Sequence, residues 1–233
     1  MRIGITREAH QLEGLNDTAR ERGIEVIPVP LIAIQQIQFE WPLRLSTVSP
    51  DWVLFSSAAG VSAFFDNMQR LSITLPSSAR FAAIGDKTAE AIRAVGLEVS
   101  YVPSEAYGKV LFAEFIEHVV REREIVVYAR AIDVAYDPAQ LFAEHGIDYI
   151  SLVCYATMSR AIDPNLIDGF NSEDYLLFTA PSAVRSYQEQ FGKPRMQVVA
   201  IGHTTGGEMK LQGWSGYTSL PTPDITKILE LVK

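Results

Sequence analysis

Hydroxyl side chains recur at the turns where a predicted strand ends and a helix begins. Each such turn lies at the carboxyl edge of a predicted parallel sheet, which is the usual ligand crevice of open α/β folds. A hydroxyl at this place can cap the helix by accepting a backbone N–H, and with the remaining N–H groups it can also bind an anion. The pattern therefore indicates a ligand rich in carboxylates or phosphates. The residues concerned are Thr6, Ser56, Ser57, Thr88, Thr179, Ser182, Thr204 and Thr205.

Three basic residues could supply positive charge near these turns. Arg7 and Arg130 each come just past the carboxyl end of a predicted strand. A guanidinium at that place can grip a carboxylate with two hydrogen bonds, and an ordinary surface position is the alternative. Lys87, in the turn before Thr88, is a further candidate.

Tyr155 lies at the end of a predicted strand, in the segment Val153-Cys-Tyr-Ala-Thr157. A phenol at a domain junction could donate a proton to a leaving group, and packing is the alternative role. If the strand continues regularly, Cys154 should point to the opposite face, because side chains alternate along a strand; it is predicted to be a small core residue.

Other familiar chemistries lack their residues. There is no GxGxxG after the first strand and no GxxxxGK[ST], so the loops that bind dinucleotides or nucleoside triphosphates are missing. The four histidines, His10, His118, His145 and His203, are widely separated and none shows metal-ligand spacing. We therefore expect neither a cofactor nor a metal.

Short β-branched runs alternate with segments of helical period, which predicts parallel sheets covered by helices. Strands are predicted near 2–6, 25–29, 52–56, 80–84, 98–102, 125–129, 148–153, 174–178, 197–201 and 215–219. Helices are predicted near 9–22, 59–70, 87–95, 107–120, 136–145, 181–191, 204–212 and 223–232. Several helices should stop at a glycine, such as Gly23 and Gly146.

The chain is a tandem duplication. Asp51-Trp-Val-Leu-Phe-Ser-Ser-Ala-Ala-Gly-Val61 resembles Asp174-Tyr-Leu-Leu-Phe-Thr-Ala-Pro-Ser-Ala-Val184, an offset of 123 residues. Arg7 recurs as Arg130 at the same offset. A third block, Ala83-Ile-Gly-Asp-Lys-Thr88, matches Ala200-Ile-Gly-His-Thr-Thr205 at an offset of 117 residues.

Each copy has one long irregular connection after its second strand, at about 30–50 and 154–173. Loops of this length are disfavoured inside a compact domain, whereas the join between the copies is short. We therefore expect two flavodoxin-like parallel-sheet domains that have exchanged segments. Domain one would combine residues 1–33 with 173–233, domain two would be 51–153, and 34–50 with 154–172 would form a two-segment hinge. A duplication without exchange is the alternative.

The 233 residues include 20 Lys and Arg against 28 Asp and Glu, a formal net charge of −8. This balance argues against a nucleic-acid partner, which needs a clustered basic surface, but not against a small polycarboxylate held by N–H groups and hydroxyls. One cysteine predicts a reducing compartment, and the N-terminus turns polar too soon for a signal peptide, so we expect the cytoplasm. No apolar run approaches the ~20 residues that span a bilayer, so no membrane association is expected.

Six motifs, in order along the whole chain, resemble those of the uroporphyrinogen-III synthase family. Each motif alone is a weak signal, but the order and spacing of the six agree with the family. They are Thr6-Arg7, Phe55-Ser-Ser-Ala-Ala-Gly-Val61, Ile84-Gly-Asp-Lys-Thr-Ala89, Tyr155-Ala-Thr157, Phe178-Thr-Ala-Pro-Ser-Ala-Val184 and Ile201-Gly-His-Thr-Thr205.

The chain departs from the family's pattern in three places. Ala180 replaces a serine, Gly206-Gly207 replaces an alanine-led helix start, and Tyr128-Ala129-Arg130 lacks the glycine that often follows that arginine. These departures put some substrate contacts in question.

The resemblance implies a cofactor-independent lyase that cyclises hydroxymethylbilane to uroporphyrinogen III, with loss of water and inversion of ring D, in an interdomain cleft. Tyr155 would assist departure of the hydroxyl, and the hydroxyl turns would hold the acetate and propionate groups. The reaction is largely a positioning problem, because the electron-rich pyrrole stabilises the cation itself. A monomer is expected, with at most a transient contact with hydroxymethylbilane synthase.

Two other classes share the predicted plan. A non-catalytic two-domain binding protein for a small polycarboxylate would have the same hinged α/β architecture, and the absent signal peptide counts against the periplasmic kind. A cleft glycosyltransferase would need a nucleotide-sugar site, and often an acidic metal motif, that the sequence does not show.

Overall fold

Strands and helices alternate along the chain in the computed structural model, which describes residues 1–134 and 136–232. The strands are β1 (Arg2–Ile5), β2 (Glu25–Pro28), β3 (Ile32–Gln36), β4 (Trp52–Phe55), β5 (Arg80–Ala83), β6 (Ile125–Ala131), β7 (Asp148–Ser159), β8 (Tyr175–Phe178), β9 (Gln197–Ala200) and β10 (Thr218–Ser219). The α-helices are α1 (Glu13–Glu21), α2 (Ala58–Arg70), α3 (Asp86–Ala94), α4 (Gly108–His118), α5 (Ala139–Glu144), α6 (Pro164–Asp168), α7 (Pro181–Phe191), α8 (His203–Leu211) and α9 (Ile228–Leu231). Short 3₁₀ turns lie at Ala9–Leu12, Leu43–Ser46 and Ile225–Lys227.

The chain divides into two compact units. Unit 1 combines Met1–Ala33 with the chain from Met158 onward, and unit 2 is Ile34–Thr157. The chain passes from one unit to the other twice, within β3 and within β7, and these two strands are neighbours in one sheet.

Each unit contains one sheet with a flavodoxin-like strand order. The sheet of unit 1 has the order β10-β9-β8-β1-β2, and the pairs of its strands are parallel. The sheet of unit 2 has the order β3-β7-β6-β4-β5, with parallel pairs from β7 to β5. In both units the first strand of one sequence copy is central and its second strand lies beside it. Unit 1 has the full 2-1-3-4-5 order of flavodoxin-like folds, and unit 2 has the order 2-1-3-4 with β3 added at the edge. The predicted fold class is confirmed.

One pair of aspartates shows the duplication in atomic detail. Asp174 accepts the backbone N–H of Arg2 at 2.8 Å, and Asp51 accepts the backbone N–H of Ile125 at 2.8 Å. In each unit the aspartate thereby joins the start of one central strand to the start of its neighbour. The two bonds are related by the same 123-residue offset that the sequence shows.

The helices pack on both faces of each sheet and bury two hydrophobic clusters per unit. In unit 2, Trp52 and Leu54 of β4 enter the cluster that contains Phe112 and Phe115 of α4. Their neighbours along the strand enter the opposite cluster, because successive side chains point to opposite faces. This alternation decides which way the residues after β4 point.

The structure differs from the strand prediction at places where a strand depends on a partner strand distant in sequence. The connection predicted to be irregular at about 30–50 contains β3, and β7 continues to Ser159 rather than ending near 153. These strands form because each supplies the other's hydrogen-bond partner, as where Ile37 N donates to Cys154 O at 2.8 Å. The predicted strand at 98–102 is reduced to a parallel bridge between Ala82 and Tyr101, since Pro103 follows at once.

Within the described part of the chain, no helix is both long enough and apolar enough to cross a membrane.

Candidate active site

Two adjacent serines after β4 face opposite sides of the unit 2 sheet. Ser56 continues the side of Trp52 and Leu54, and Ser57 continues the opposite side. Each serine hydroxyl lies 2.7 Å from a tyrosine hydroxyl, Tyr128 for Ser56 and Tyr155 for Ser57. Two serine–tyrosine pairs therefore stand at the carboxyl edge of this sheet.

Ser57 both caps a helix and holds Tyr155. Its backbone is extended, and its Oγ accepts the backbone N–H of Gly60 at 3.0 Å in the first turn of α2. The same Oγ meets the Tyr155 hydroxyl. When Ser57 donates its own proton to the phenol oxygen, the phenolic proton of Tyr155 is left for a third group.

A bulge in β7 orients Tyr155. Arg130 pairs with Val153, but the next residue, Ala131, pairs with Tyr155, so Cys154 is an extra residue in the ladder. Cys154 and Tyr155 consequently pack in the same hydrophobic cluster. The prediction that they point to opposite faces is wrong, because the bulge interrupts the alternation; bulges next to functional sites commonly redirect a side chain in this way.

Tyr128 is the functional candidate that the sequence reasoning missed. It lies in the middle of β6, and its ring packs edge-on against Phe112 with centroids 5.0 Å apart. Tyr128 is only 2% exposed, so both its ring and its position in the strand are those of an ordinary core residue. The available signal was a tyrosine in the apolar run Ile125-Val-Val-Tyr128, where a buried hydroxyl needs a partner.

Burial keeps both phenols protonated. It raises the pKa of Tyr155 above its ordinary value, and the hydrogen bond from Ser57 opposes part of that rise. It also raises the pKa of Tyr128, against the opposing hydrogen bond of Ser56. Desolvation disfavours a buried phenolate, so at neutral pH each tyrosine is a hydrogen-bond donor.

Both tyrosines border a cavity of about 450 Å³ within unit 2. This volume falls in the range of small-molecule sites. The cavity combines aromatic walls with a few polar groups, which is the usual composition of such a site. Its lining residues are Ser56, Ile84, Tyr107, Gly108, Lys109, Tyr128, Ala131, Asp133, Val134, Tyr136 and Tyr155.

Arg130 and Lys87, the two basic candidates of unit 2, differ in their surroundings: Arg130 is hydrogen-bonded to its neighbours, and Lys87 is exposed. The guanidinium of Arg130 donates to Ser151 Oγ at 2.6 Å and to the carbonyl oxygens of Ala131 and Ile132 at 2.9 and 3.0 Å. Its hydrogen bonds therefore support the loop after β6. Lys87 is exposed in the first turn of α3, and Thr88, beside it, is buried.

In unit 1 the predicted hydroxyls Thr6 and Thr179 bond to each other. Thr6 Oγ1 accepts the backbone N–H of Thr179 at 2.9 Å, Thr179 Oγ1 donates to Thr6 O at 3.0 Å, and the two hydroxyl oxygens are 3.2 Å apart. These bonds lock the end of β1 to the end of β8. Both side chains are thus occupied in joining strands.

Arg7 follows this lock and is half-buried. Burial lowers the pKa of its guanidinium, which nevertheless remains charged at neutral pH. Among the residues that the structure describes, no acidic side chain pairs with it and no hydrogen bond from its guanidinium is recorded. A half-buried cation in this state is suited to an anionic ligand.

The remaining predicted residues of unit 1 lie in first turns of helices. Ser182 follows Pro181 at the start of α7 and is partly exposed. Thr204 is exposed and Thr205 is buried in the first turn of α8. The N-cap of α8 is Gly202, which supplies no side-chain cap.

The structure gives a physical reason for one departure from the family motifs and shows the consequence of a second. A Cβ at Gly206 would lie 2.9 Å from Tyr217 Cε2 and 3.0 Å from Ser219 Oγ, so close packing requires glycine there. Ala180 is the N-cap of α7 and provides no cap, whereas Ser57, its equivalent in unit 2, caps α2. Nothing in the structure explains the absence of a glycine after Arg130.

Two flavodoxin-like units with hydroxyl-lined carboxyl edges, one of them with a phenol-bearing cavity, define a duplicated α/β protein with a small-molecule site.

Comparisons with known proteins identify the family. The model of the family "Uroporphyrinogen-III synthase HemD" matches residues 13–230. The chain is 23% identical over 224 residues to a uroporphyrinogen-III synthase of Chlorobaculum parvum, covering 90% of this chain and 88% of that protein. It is 22% identical over 222 residues to a porphyrin biosynthesis protein HemD of Ruminiclostridium josui, covering 90% of this chain but only 44% of that longer protein. The crystal structure of uroporphyrinogen-III synthetase from Helicobacter pylori superposes with a TM-score of 0.66 at 20% identity, covering 99% of this chain and 98% of that one.

The chain belongs to the uroporphyrinogen-III synthase family, whose members are lyases of porphyrin biosynthesis. This confirms the family, the enzyme class and the function that the six sequence motifs predict.

Proposed function

We propose that unit 2 carries the reaction chemistry of this family and that Tyr155 is its acid. The reaction is the cyclisation of hydroxymethylbilane to uroporphyrinogen III, with loss of water and inversion of ring D. The observation that carries this assignment is the hydrogen bond between Ser57 and Tyr155, which directs a protonated phenol to the rim of a cavity.

In the proposed reaction Tyr155 gives up one proton and later recovers it. Tyr155 donates its proton to the departing hydroxyl, the C–O bond breaks, and water leaves. Ser57, donating to the phenol oxygen, stabilises the phenolate that remains. The cation on the methylene carbon is supported by the pyrrole nitrogen, and the substituted carbon of ring D attacks it to form a spirocyclic intermediate. The bond from this carbon to its original methylene then breaks, and that methylene bonds instead to the unsubstituted α-carbon of ring D. The proton that the α-carbon loses returns to the phenolate.

We assign carboxylate binding to the hydroxyl-lined turns and to Arg7. The half-buried guanidinium of Arg7, which pairs with no acidic side chain among the described residues, supports a contact with an acetate or propionate group. The first turns of α3 and α8 begin after glycines that give no side-chain cap, so no capping side chain competes with an anion for the N–H groups of Lys87 and Thr204. Thr88, Ser182, Thr204 and Thr205 would bind beside them, with Lys87 adding positive charge.

Ser56, Ser57, Thr6 and Thr179 acquire a different role from direct carboxylate binding. Their hydroxyls are engaged with tyrosines or with each other, so we assign them to positioning. Arg130 belongs with them, because its recorded bonds support the loop that borders the cavity.

The decisive experiment supplies hydroxymethylbilane generated in situ and identifies the uroporphyrinogen isomer by chromatography after oxidation. Type III product is the expected result. Type I alone, the product of spontaneous closure, would leave the chain without synthase activity. Binding of a polycarboxylate in that case would favour the non-catalytic alternative.

We also propose that the protein acts in the cytoplasm as a monomer. A buried free thiol at Cys154, whose pKa burial raises to about 12, suits a reducing compartment. Size-exclusion chromatography with light scattering tests the monomer. The same measurement with added hydroxymethylbilane synthase tests the transient contact.

A further inference from the structure

Tyr128 and Ser56 form a second serine–phenol pair that no sequence motif singles out. The pair stands on the opposite face of the sheet from Ser57 and Tyr155, yet Tyr128, Ser56 and Tyr155 all border the same cavity. The cavity thus has two phenols at its rim, each held by one of two consecutive serines.

Packing does not require the hydroxyl of Tyr128. The ring lies in an apolar cluster with Phe112, Phe115 and Phe142, and a phenylalanine would fill the same space. The hydrogen bond that the structure records for the hydroxyl goes to Ser56, a residue at the cavity. Core stability therefore does not explain why the hydroxyl of Tyr128 lies in this apolar strand, and we expect a functional role.

The Ser56–Tyr128 pair can donate one further hydrogen bond. Two hydroxyl groups carry two hydrogens, and a single hydrogen bond between them uses one. The second hydrogen can be donated to another oxygen, and both hydroxyl-bearing residues line the cavity.

The duplicated unit provides an internal comparison. The 123-residue offset places Ile5 at the position of Tyr128 and Ile32 at the position of Tyr155. Ser56 corresponds to Thr179, whose hydroxyl donates to the backbone of Thr6 instead. The equivalent positions in unit 1 therefore lack both phenols, which occur in unit 2 together with the cavity.

One basic side chain at the cavity can pair with an anionic oxygen. Lys109, in the first turn of α4, lines it and stacks over the ring of Tyr136 at 5.8 Å. Among the described residues it has no ion-pair partner, so its charge is available to a ligand. Asp133 also lines the cavity; it and Lys109 are both exposed, so water screens both charges.

We propose that Tyr128, aimed by Ser56, donates a hydrogen bond to a substrate carboxylate and so fixes the ring that reacts at Tyr155. This role rests on the proposed function, and it divides the two phenols: Tyr155 serves the departing hydroxyl, and Tyr128 holds an anion throughout the reaction. A hydrogen bond present in both ground and transition states affects KM, whereas an acid affects kcat.

The test compares Tyr128→Phe with wild type in steady-state kinetics and in binding of uroporphyrin III, followed by quenching of its fluorescence. Because hydrogen bonds to charged groups are stronger than neutral ones, KM and the uroporphyrin Kd should both rise about tenfold or more, with kcat within about twofold. Tyr187→Phe is the matched control: it removes another buried phenol, bonded to Met196 Sδ in unit 1, and should change neither constant.

Ser56 variants test whether the pair acts as a unit. Ser56→Ala should raise KM as Tyr128→Phe does, the double variant should be no worse than either single variant, and Ser56→Thr should restore wild-type KM. Thermal melts of all variants separate lost binding from lost folding.

Three results would overturn the inference: unchanged KM and Kd in Tyr128→Phe, a fall in kcat at unchanged KM, or additive effects of the two substitutions. Failure of the proposed function is distinct, because it is read from the isomer made by wild type. Wild type that makes only type I product but shows Tyr128-dependent uroporphyrin binding would refute the activity and retain the contact.

Discussion

The Oγ of Ser57 accepts the N–H of Gly60 at 3.0 Å and lies 2.7 Å from the hydroxyl of Tyr155. One atom therefore joins the start of helix α2 to the proposed acid. Because capping fixes where Ser57 stands, the helix also fixes where the phenol points. Capping, one of the two roles that the sequence allows for this hydroxyl, is confirmed, and in the proposed function the same hydroxyl positions the acid.

Ser57→Ala should lower both stability and turnover. Loss of the N-cap costs about 1 kcal/mol of unfolding free energy. Loss of the donor to Tyr155 removes stabilisation of the phenolate, so kcat should fall about tenfold with a smaller change in KM. Thermal denaturation and the isomer assay measure the two effects.

A variant at a second N-cap, outside the proposed site, separates the loss of stability from the loss of turnover. Asp163 caps α6 in unit 1 through the N–H of Asn165, at 3.0 Å, and has no part in the proposed site. Asp163→Ala should lower the melting temperature by a similar amount and leave kcat as in wild type. If it lowers kcat equally, the loss in Ser57→Ala reflects destabilisation and not the phenol.

Tyr155→Phe should lower kcat on the order of a hundredfold, which is the usual scale of general acid catalysis. KM should stay close to wild type, since the ring remains in place. The measurement is a kcat and KM determination for type III product. Full turnover in this variant would remove Tyr155 from the role of acid.

The pH dependence of kcat gives an independent check on Tyr155. An acid must be protonated, and burial raises the pKa of Tyr155 above the ordinary ~10 of a phenol. As far as Tyr155 controls it, kcat should stay level from pH 7 past pH 9 and decline only at higher pH. A decline centred near pH 7 would point to another acid.

The sequence predicts the parts of this site that local patterns define. The strand-to-helix turns at Ser56 and Thr179 are visible because a hydrophobic run stops at a hydroxyl and a helix follows. The strand order follows from the alternation of elements and from the duplication. Tyr155 is marked by its position in a motif rather than by any property of its own.

The missed features depend on pairs distant in sequence. Tyr128 and Ser56 are 72 residues apart, and each looks like an ordinary core or capping residue alone. The bulge at Cys154 is set by the ladder between β6 and β7, which local alternation cannot show. The bonds from Arg130 to Ser151, on a neighbouring strand, and to nearby carbonyl groups likewise depend on the fold, and its predicted contact with an anion stays a prediction.

Asp174→Ala should destabilise the protein by about 2–3 kcal/mol, because a buried hydrogen-bonded carboxylate is lost. Burial raises the pKa of this carboxyl, but hydrogen bonds from the backbones of Asn171 and Arg2 and from the Arg2 side chain outweigh it, and the net pKa is lowered. A lowered pKa in the folded state contributes stability above the unfolded value of ~3.9, which is lost as the pH falls through the folded value.

Acid titration of the unfolding free energy therefore checks Asp174. Wild type should lose stability below about pH 4 more steeply than Asp174→Ala, whose curve lacks this contribution. Parallel curves for the two proteins would contradict the assignment. Asp51→Ala, at the equivalent position in unit 2, should likewise lower stability by removing the bond to Ile125 N.

Two neighbouring glycines in α8 give opposite predictions. A Cβ at Gly206 meets Tyr217 at 2.9 Å and Ser219 at 3.0 Å, whereas a Cβ at Gly207 meets nothing within 4 Å. Gly207→Ala should stabilise the protein by about 0.5–1 kcal/mol, the difference in helix propensity. Gly206→Ala has the same gain in propensity, but overpacking costs typically 1–3 kcal/mol, so it should be net destabilising by about 1 kcal/mol.

Chemical denaturation of both variants measures this difference, with Gly207→Ala serving as the matched control for propensity. Equal stabilisation by the two alanines would mean that Tyr217 moves aside at little cost, and that close packing does not require the glycine at 206. The expected opposite signs would instead explain this departure from the family's alanine-led helix start as a packing feature of unit 1. Its effect on turnover should then be small at temperatures where the variant is folded.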